Sequence, residues 1–88
     1  MNPAAPSSAA TITVEYFAVF RAQAQRTTED LPFDGASPAA IYDALRTRYG
    51  FALDRSSVHV AINDAYAAWD AALAPGDRLV FIPPVSGG

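Results

Sequence analysis

The stretch Pro75-Gly76-Asp77-Arg78-Leu79-Val80-Phe81-Ile82-Pro83-Pro84-Val85-Ser86-Gly87-Gly88 holds a turn, a strand and a stiff exit in immediate succession. Pro75-Gly76-Asp77 is a turn signal. Arg78 to Ile82 then alternates, with Leu79 and Phe81 on one face and Val80 and Ile82 on the other. Both faces are apolar, so the strand is covered on one side by a core and offered on the other to something else. Pro83 and Pro84 fix their own φ and push each preceding residue toward extended geometry, which holds residues 83–88 away from the domain. The diglycine carries no side chain, so a backbone ending this way enters a channel too narrow for a Cβ. The alternative is a frayed terminus, where glycine is common. Rigid prolines are a poor way to make one.

Upstream, Thr11 to Val19 alternates in the same way. Ile12, Val14, Tyr16 and Ala18 fall on one face, and Thr13, Glu15, Phe17 and Val19 on the other, as in a half-buried strand. Phe20 to Arg26 reads as a short helical turn. Thr28 to Phe33 reads as a second strand with Leu31 and Phe33 inward, and Pro32 assigns it to a sheet edge. Ser37, Pro38 and Gly50 punctuate one main helix as N-cap, first position and stop. Ile41, Ala44, Leu45 and Tyr49 form its stripe, and Asp43 and Arg46 can pair on its wet side. Val58, Val60 and Ile62 alternate inward on a third strand. Asn63-Asp64-Ala65 turns the chain, and Tyr66 to Trp69 reads as a short return strand. The order is strand, strand, helix, strand, strand, strand. One helix covers one face of such a sheet. Phe17, Val80 and Ile82 point to the uncovered face if the first and last strands are neighbours, and an apolar cluster there marks an interaction site.

Composition narrows the functional classes. The 88 residues form one small domain, and such a chain buries only about 60% of its unfolded surface, which leaves little room for both a core and an internal cavity. Cysteine is absent, so disulfides, thiolate metal sites and cysteine catalysis from within the chain are excluded. The net charge is -3, and every basic residue other than His59 is arginine. Nucleic-acid binding needs clustered positive charge and is not expected. An acidic surface suits a basic partner. The absence of lysine removes Schiff-base chemistry and isopeptide attachment to this chain's side chains. No stretch is long and apolar enough to span a bilayer. Residues 1–10 read as a disordered lead-in without the marks of a signal peptide, so a cytoplasmic location is expected, with residues 11–82 the domain and 83–88 the tail.

No catalytic constellation is complete. His59 is the single histidine and reads as a surface or sheet-edge residue; it has no second histidine for a metal site. Ser56, Ser57 and Ser86 lack acid partners. Glu29, Asp30 and Asp54 read as solvated. The glycines are isolated or terminal rather than grouped in a phosphate loop. What remains is the α-carboxylate of Gly88, ionised at neutral pH with a reference pKa of about 3.5. As a weak electrophile it needs activation. Attack on the α-phosphate of ATP gives an acyl-adenylate, and a sulfur nucleophile can then displace AMP to leave a thiocarboxylate.

The tail from Phe81 to Gly88, preceded by Pro75-Gly76-Asp77, resembles the small subunit of molybdopterin synthase, a sulfur carrier of the ubiquitin-like MoaD/ThiS family. Ile12 to Ala18 with Arg21 is similar to that family's first strand and short helix, and Val60-Ala61-Ile62-Asn63 to its third strand. The likeness spans nearly everything from Thr11 to Gly88. The chain departs from the family pattern in having Ile82 where an aromatic is usual, Ala22 where Glu is frequent and Gln25 where Gly closes the short helix. The resemblance implies an α+β, β-grasp fold: a mixed sheet of about five strands, its first and last strands parallel at the centre, with one main helix across one face. It implies adenylation, at the cost of ATP, by a ubiquitin-activating-like enzyme, and no cofactor held by this chain. It implies a large synthase subunit as partner and sulfur transfer to cyclic pyranopterin monophosphate in molybdenum cofactor biosynthesis. Carried over by position, Gly87 and Gly88 are the reactive end, Phe17, Tyr66 and Ile82 meet the partner, and Pro83, Pro84, Val85 and Ser86 thread into it. The alternatives are a ubiquitin-like protein modifier and a carrier for thiamine or cysteine synthesis.

Overall fold

A computed structural model describes residues 10–84. Five strands form one mixed sheet: β1 (Thr11–Tyr16), β2 (Thr28–Pro32), β3 (His59–Ile62), β4 (Ala65–Ala67) and β5 (Arg78–Ile82), in the order β2-β1-β5-β3-β4. β1 and β5 run parallel, with Val14 opposite Leu79 and Tyr16 opposite Phe81. All other pairings are antiparallel. A short helix α1 (Ala18–Ala24) follows β1, and the main helix α2 (Pro38–Tyr49) links β2 to a single 3-10 turn and β3. This is the β-grasp arrangement. Pro32 lies on the edge strand β2, where a missing N–H costs no ladder bond.

α2 starts and stops where its punctuation requires. The Ala40 N–H donates to Ser37 Oγ at 3.1 Å, Pro38 opens the first turn, and Gly50 takes φ 74° to close the last. Its buried stripe is Pro38, Ile41, Tyr42 and Leu45. Tyr42 was not expected there and Ala44, which was, is exposed. A helical face at i, i+3, i+4 and i+7 counted from Pro38 selects Tyr42 over Ala44. The expected Asp43–Arg46 pair is also absent. Arg46 reaches Asp54 at 2.9 Å and Asp43 receives Arg55 at 3.2 Å, so both span from α2 to the following loop.

β1 ends three residues before the alternation suggests. Ala18 adopts φ 49°, which breaks the strand and starts α1, and this turns Phe20 back into the core, fully buried. Ala18 and Val19 are exposed as a result. Around Phe20 the core is aromatic. Its ring centre lies 4.9 Å from Phe51 and 5.9 Å from Tyr42, and Tyr42 lies 5.0 Å from Phe81. Edge-to-face pairs of this kind each add about 0.5–1.5 kcal/mol beyond area burial. Trp69 sits past the end of β4, stacked over Phe81 at 6.0 Å. The expected return strand, Tyr66 to Trp69, is thus shifted to Ala65–Ala67 because Trp69 packs onto the core instead of pairing.

Glu29 corrects the expectation of a solvated carboxylate. It shares the inward face of β2 with Leu31, and its side chain is 7% exposed. Tyr16 and Tyr49 hydroxyls donate to its Oε1 at 2.9 and 2.6 Å, while Arg26 and Arg48 approach its Oε2 at 3.4 and 3.5 Å. Burial raises its pKa, but the hydrogen bonds from Tyr49 and Tyr16 and the two guanidinium charges outweigh that, so the net shift is downward. Burial, and then the bond to Glu29, pushes Tyr16 far above the ordinary phenol value.

These contacts set two expected outcomes. Glu29→Ala strands two tyrosine hydroxyls and removes the counter-charge of two arginines, and should destabilise the fold by about 2–4 kcal/mol in denaturant titrations. Because the folded pKa of Glu29 is depressed, its stabilisation is complete above the ordinary carboxylate range and is lost as pH falls through the folded value. Glu29→Gln should remove that component of acid sensitivity, and an unchanged acid profile would refute the assignment. Separately, Gln25 closes α1 at φ 60°, ψ 37°, a left-handed position natural to glycine. Gln25→Gly should raise stability by about 0.5–1 kcal/mol.

Candidate functional site: the open sheet face

α2 and α1 pack against the sheet face that carries Val14, Tyr16, Leu79 and Phe81. Among the described residues, no helix lies over the opposite face. Across it the strand registers line up Glu15 of β1, Val80 of β5, Ala61 of β3 and Tyr66 of β4 in one row. Ile82 lies one step along, opposite His59. Together these residues shape a shallow groove of about 350 Å³. Val80 and Ala61 are its floor, at 6% and 7% exposure. Phe17 and Tyr66 are its walls, at 44% and 78%. Ile82 is half-buried between them.

The groove therefore gathers the three side chains expected to contact a partner: Phe17, Tyr66 and Ile82 all line it. Val80 was expected in an exposed cluster, but its neighbours cover it. Of the expected tail, Pro83 is half-buried and Pro84 exposed. Val85, Ser86, Gly87 and Gly88 lie outside the described residues. β1 and β5 are parallel neighbours, so the chain leaves β5 at the end of the sheet where Phe17 leaves β1.

Sequence reasoning missed the polar end of the groove. Arg78 lies one step behind Val80 on the same face, with Nε 3.7 Å from Glu15 Oε1 and Nη2 bonded to Asp64. Asp64 is carried on a two-residue turn in which Asn63 and Asp64 have φ 51° and 73°, the doubly positive geometry that suits a tight hairpin. Asn63 braces this turn against β5. Its amide donates to Asp77 at 2.9 Å and its carbonyl accepts the Arg78 N–H at 2.9 Å. The Ala74 N–H and then the Asn63 amide hold Asp77 below the ordinary carboxylate pKa. Parallel adjacency of β1 and β5 was the signal that joins Glu15 to Arg78. The Asn63–Asp77 brace has no such signal in sequence.

A larger hollow of about 850 Å³ lies at the end of α2, but its charges are spent on the Arg46–Asp54 and Arg55–Asp43 pairs. Among the described residues, no group of three or more His, Asp or Glu is placed to hold a metal ion, and no helix is long and apolar enough to cross a membrane. His59 is exposed, with its ring centre 6.2 Å from Tyr66 and no nucleophile between them. The face is thus built for apolar contact bounded by charge.

Known proteins share this architecture. SAMP1 from Haloferax volcanii is 28% identical, with a TM-score of 0.73 over 89% of this chain and 99% of that one. A Pyrococcus furiosus protein named as a candidate molybdopterin converting factor, subunit 1, is 28% identical, with a TM-score of 0.71 over 86% of this chain and 99% of that one. A chain of the Amycolatopsis orientalis BexX/CysO complex matches in fold at 21% identity, with a TM-score of 0.63 over 88% of this chain and 99% of that one. The sequence profile of the ThiS family matches residues 14–88. With that match running through the sheet and the diglycine alike, the chain belongs to the ThiS family of ubiquitin-like sulfur carriers.

Proposed function

We propose that this chain is the sulfur carrier subunit of a molybdopterin synthase. The observation that carries the reading is the apolar groove of the open face, walled by Phe17 and Tyr66 and reaching Ile82 at the end of β5. The likeness to the Pyrococcus furiosus protein supports it. In this reading the groove docks the chain first on an adenylating enzyme and then on the large synthase subunit. Pro83 to Gly88 carry the reacting group into each. A carboxylate oxygen of Gly88 attacks the α-phosphorus of ATP, and pyrophosphate leaves. A sulfur nucleophile then attacks the carbonyl carbon and AMP leaves, which gives the thiocarboxylate. The large subunit supplies the pocket for cyclic pyranopterin monophosphate and the catalytic groups.

A second reading is favoured by the 28% identity to a small archaeal modifier protein. There the same adenylate is consumed by a lysine amine of a target protein. Immunoblots of cells separate the two. A ladder of conjugates belongs to a modifier, and free protein with one stable heteromer belongs to the synthase subunit.

Deleting Gly88 should abolish molybdopterin formation with the large subunit, and intact mass after incubation with ATP, activating enzyme and sulfur source should show one oxygen replaced by sulfur. Retained synthase activity on deletion would refute the assignment. Phe17→Ala and Tyr66→Ala should each weaken partner binding about tenfold or more, as truncation of an aromatic anchor does. Both should leave stability within about 0.5 kcal/mol, since both side chains are exposed. Phe81→Ala, on the buried face, should instead cost about 3–5 kcal/mol of stability.

A further inference from the structure

The groove of the open face is apolar along its floor and charged at one end, and that end has a sign. Arg78 stands two residues from Val80 on β5, so the charged end begins about 7 Å from the apolar floor. Two carboxylates hold Arg78: Glu15 Oε1 lies 3.7 Å from its Nε, and Asp64 bonds its Nη2. A third, Asp77, is tied into the same turn by the Asn63 amide and the Ala74 N–H. Three negative charges against one positive leave this end acidic, in a chain whose net charge is -3. The charges differ in what they turn outward. Arg78 Nε is fully buried and has no hydrogen-bond acceptor among the described residues. The guanidinium is thus spent inward, between Glu15 and Asp64. Asp77 is held by two neutral donors, so its charge is placed but not cancelled. Asp64 faces outward, with its side chain 78% exposed. It does so from a fixed position, because both turn residues have positive φ and Asn63 braces the turn against β5. A carboxylate held this way loses little freedom when a counter-charge meets it.

We propose that this groove takes a partner segment that carries an apolar side chain beside a cationic one: the apolar group lies on Val80 and Ala61 between Phe17 and Tyr66, and the cation meets Asp64. Asp64 is the residue that sets the preference. This deepens the functional reading above and rests on the groove being the docking surface. A carboxylate in the same place would face Glu15, Asp64 and Asp77 with the single guanidinium already engaged, and like charges brought together in an interface are costly. A second copy of this chain is disfavoured on the same ground, since it brings its own net charge of -3. The apolar floor alone separates partners poorly, because one aliphatic group resembles another. A placed charge adds rejection of the wrong partner to attraction of the right one.

The test uses defined peptides and the full chain. Backbone amide shifts of the isotope-labelled protein are followed while acetyl-Leu-Leu-Arg-amide is added to millimolar concentration, with citrulline and glutamate in place of the arginine as controls. Citrulline keeps the shape of arginine and removes its charge. The arginine peptide should move the amides of Ala61, Asp64, Tyr66 and Val80. The citrulline peptide should bind about three- to fivefold more weakly, the scale of an exposed ion pair, and the glutamate peptide more weakly still. Asp64→Asn keeps a residue suited to positive φ, and should cost the arginine peptide the same factor while leaving the citrulline peptide unchanged. Arg78→Gln removes the competing cation and should tighten the arginine peptide about two- to threefold. The amide spectra themselves report whether each variant is folded, and Asp64→Asn decides the matter if Arg78→Gln is not. Equal binding of the arginine and citrulline peptides would overturn the proposal, as would tighter binding of the glutamate peptide. So would an Asp64→Asn protein that still prefers arginine, or the absence of shifts in the groove with the arginine peptide. Molybdopterin formation with the large subunit is measured separately. Its failure counts against the proposed function, whereas the cation preference stands or falls on the peptide titrations.

Discussion

The parallel pairing of β1 with β5 is the constraint from which the rest of the molecule follows. Two parallel neighbours cannot be joined by a tight turn, so everything between residues 16 and 78 must cross over from one strand to the other. α2 is the element long enough to cover the sheet on that route. Joining the first strand to the last closes the chain on itself, and the long loop this fixes is entropically costly. The aromatic core around Phe20, Tyr42, Phe51 and Phe81 offsets that cost. The same pairing brings the ends of both strands to one edge. Phe17 and Ile82 line one groove while separated by most of the sequence.

One long helix across a five-stranded sheet leaves one face without cover among the described residues. A face meant for water would carry polar residues at every outward position. Here the outward positions of the three central strands include Val80, Ile82 and Ala61, with Phe17 and Tyr66 at the margins. Charge is kept to one end, where Arg78 is held between two carboxylates. The burial of Val80 and Ala61 by their own neighbours limits what that face exposes when unoccupied. The walls, by contrast, are aromatic and accessible. Aromatic side chains supply contact area with few rotatable bonds, so ordering them costs little.

Much of this is legible in the chain itself. Ser37, Pro38 and Gly50 bound α2 because capping depends on local backbone geometry, and period-two alternation locates Ile12, Val14, Tyr16, Leu79 and Phe81 on the core face. Glu29 is misread although it alternates with Leu31. Its burial depends on Tyr49 and Arg48 from α2, and no local rule brings those to β2. Tyr42 is missed for a related reason: an amphipathic tyrosine reads as a surface residue until the Leu53 carbonyl is seen to accept its hydroxyl at 2.7 Å. The shift of Phe20 into the core rests on a positive φ at Ala18, which sequence does not announce. At the site, the residues found from sequence are those that alternation places on the free face. Those missed, Asp64 and Arg78, are set by a turn braced through Asn63 and Asp77 from a distant loop.

A domain of this size spends its apolar residues on one core, and nothing remains from which to wall off a dry catalytic cavity. Under the proposed function, chemistry that needs a preorganised, water-excluded pocket is done in a partner's interior. That reading asks two separate things of the small chain. It must be held, which takes area, and it must deliver a reactive group, which takes reach. The groove meets the first demand with a fixed surface carried on β-strands. In the proposed function the second falls to the residues after Ile82, of which Pro83 and Pro84 have a fixed φ. In the proposed function the holding surface and the reacting group are distinct, so one surface would serve successive partners while the chemistry at the carboxylate changes.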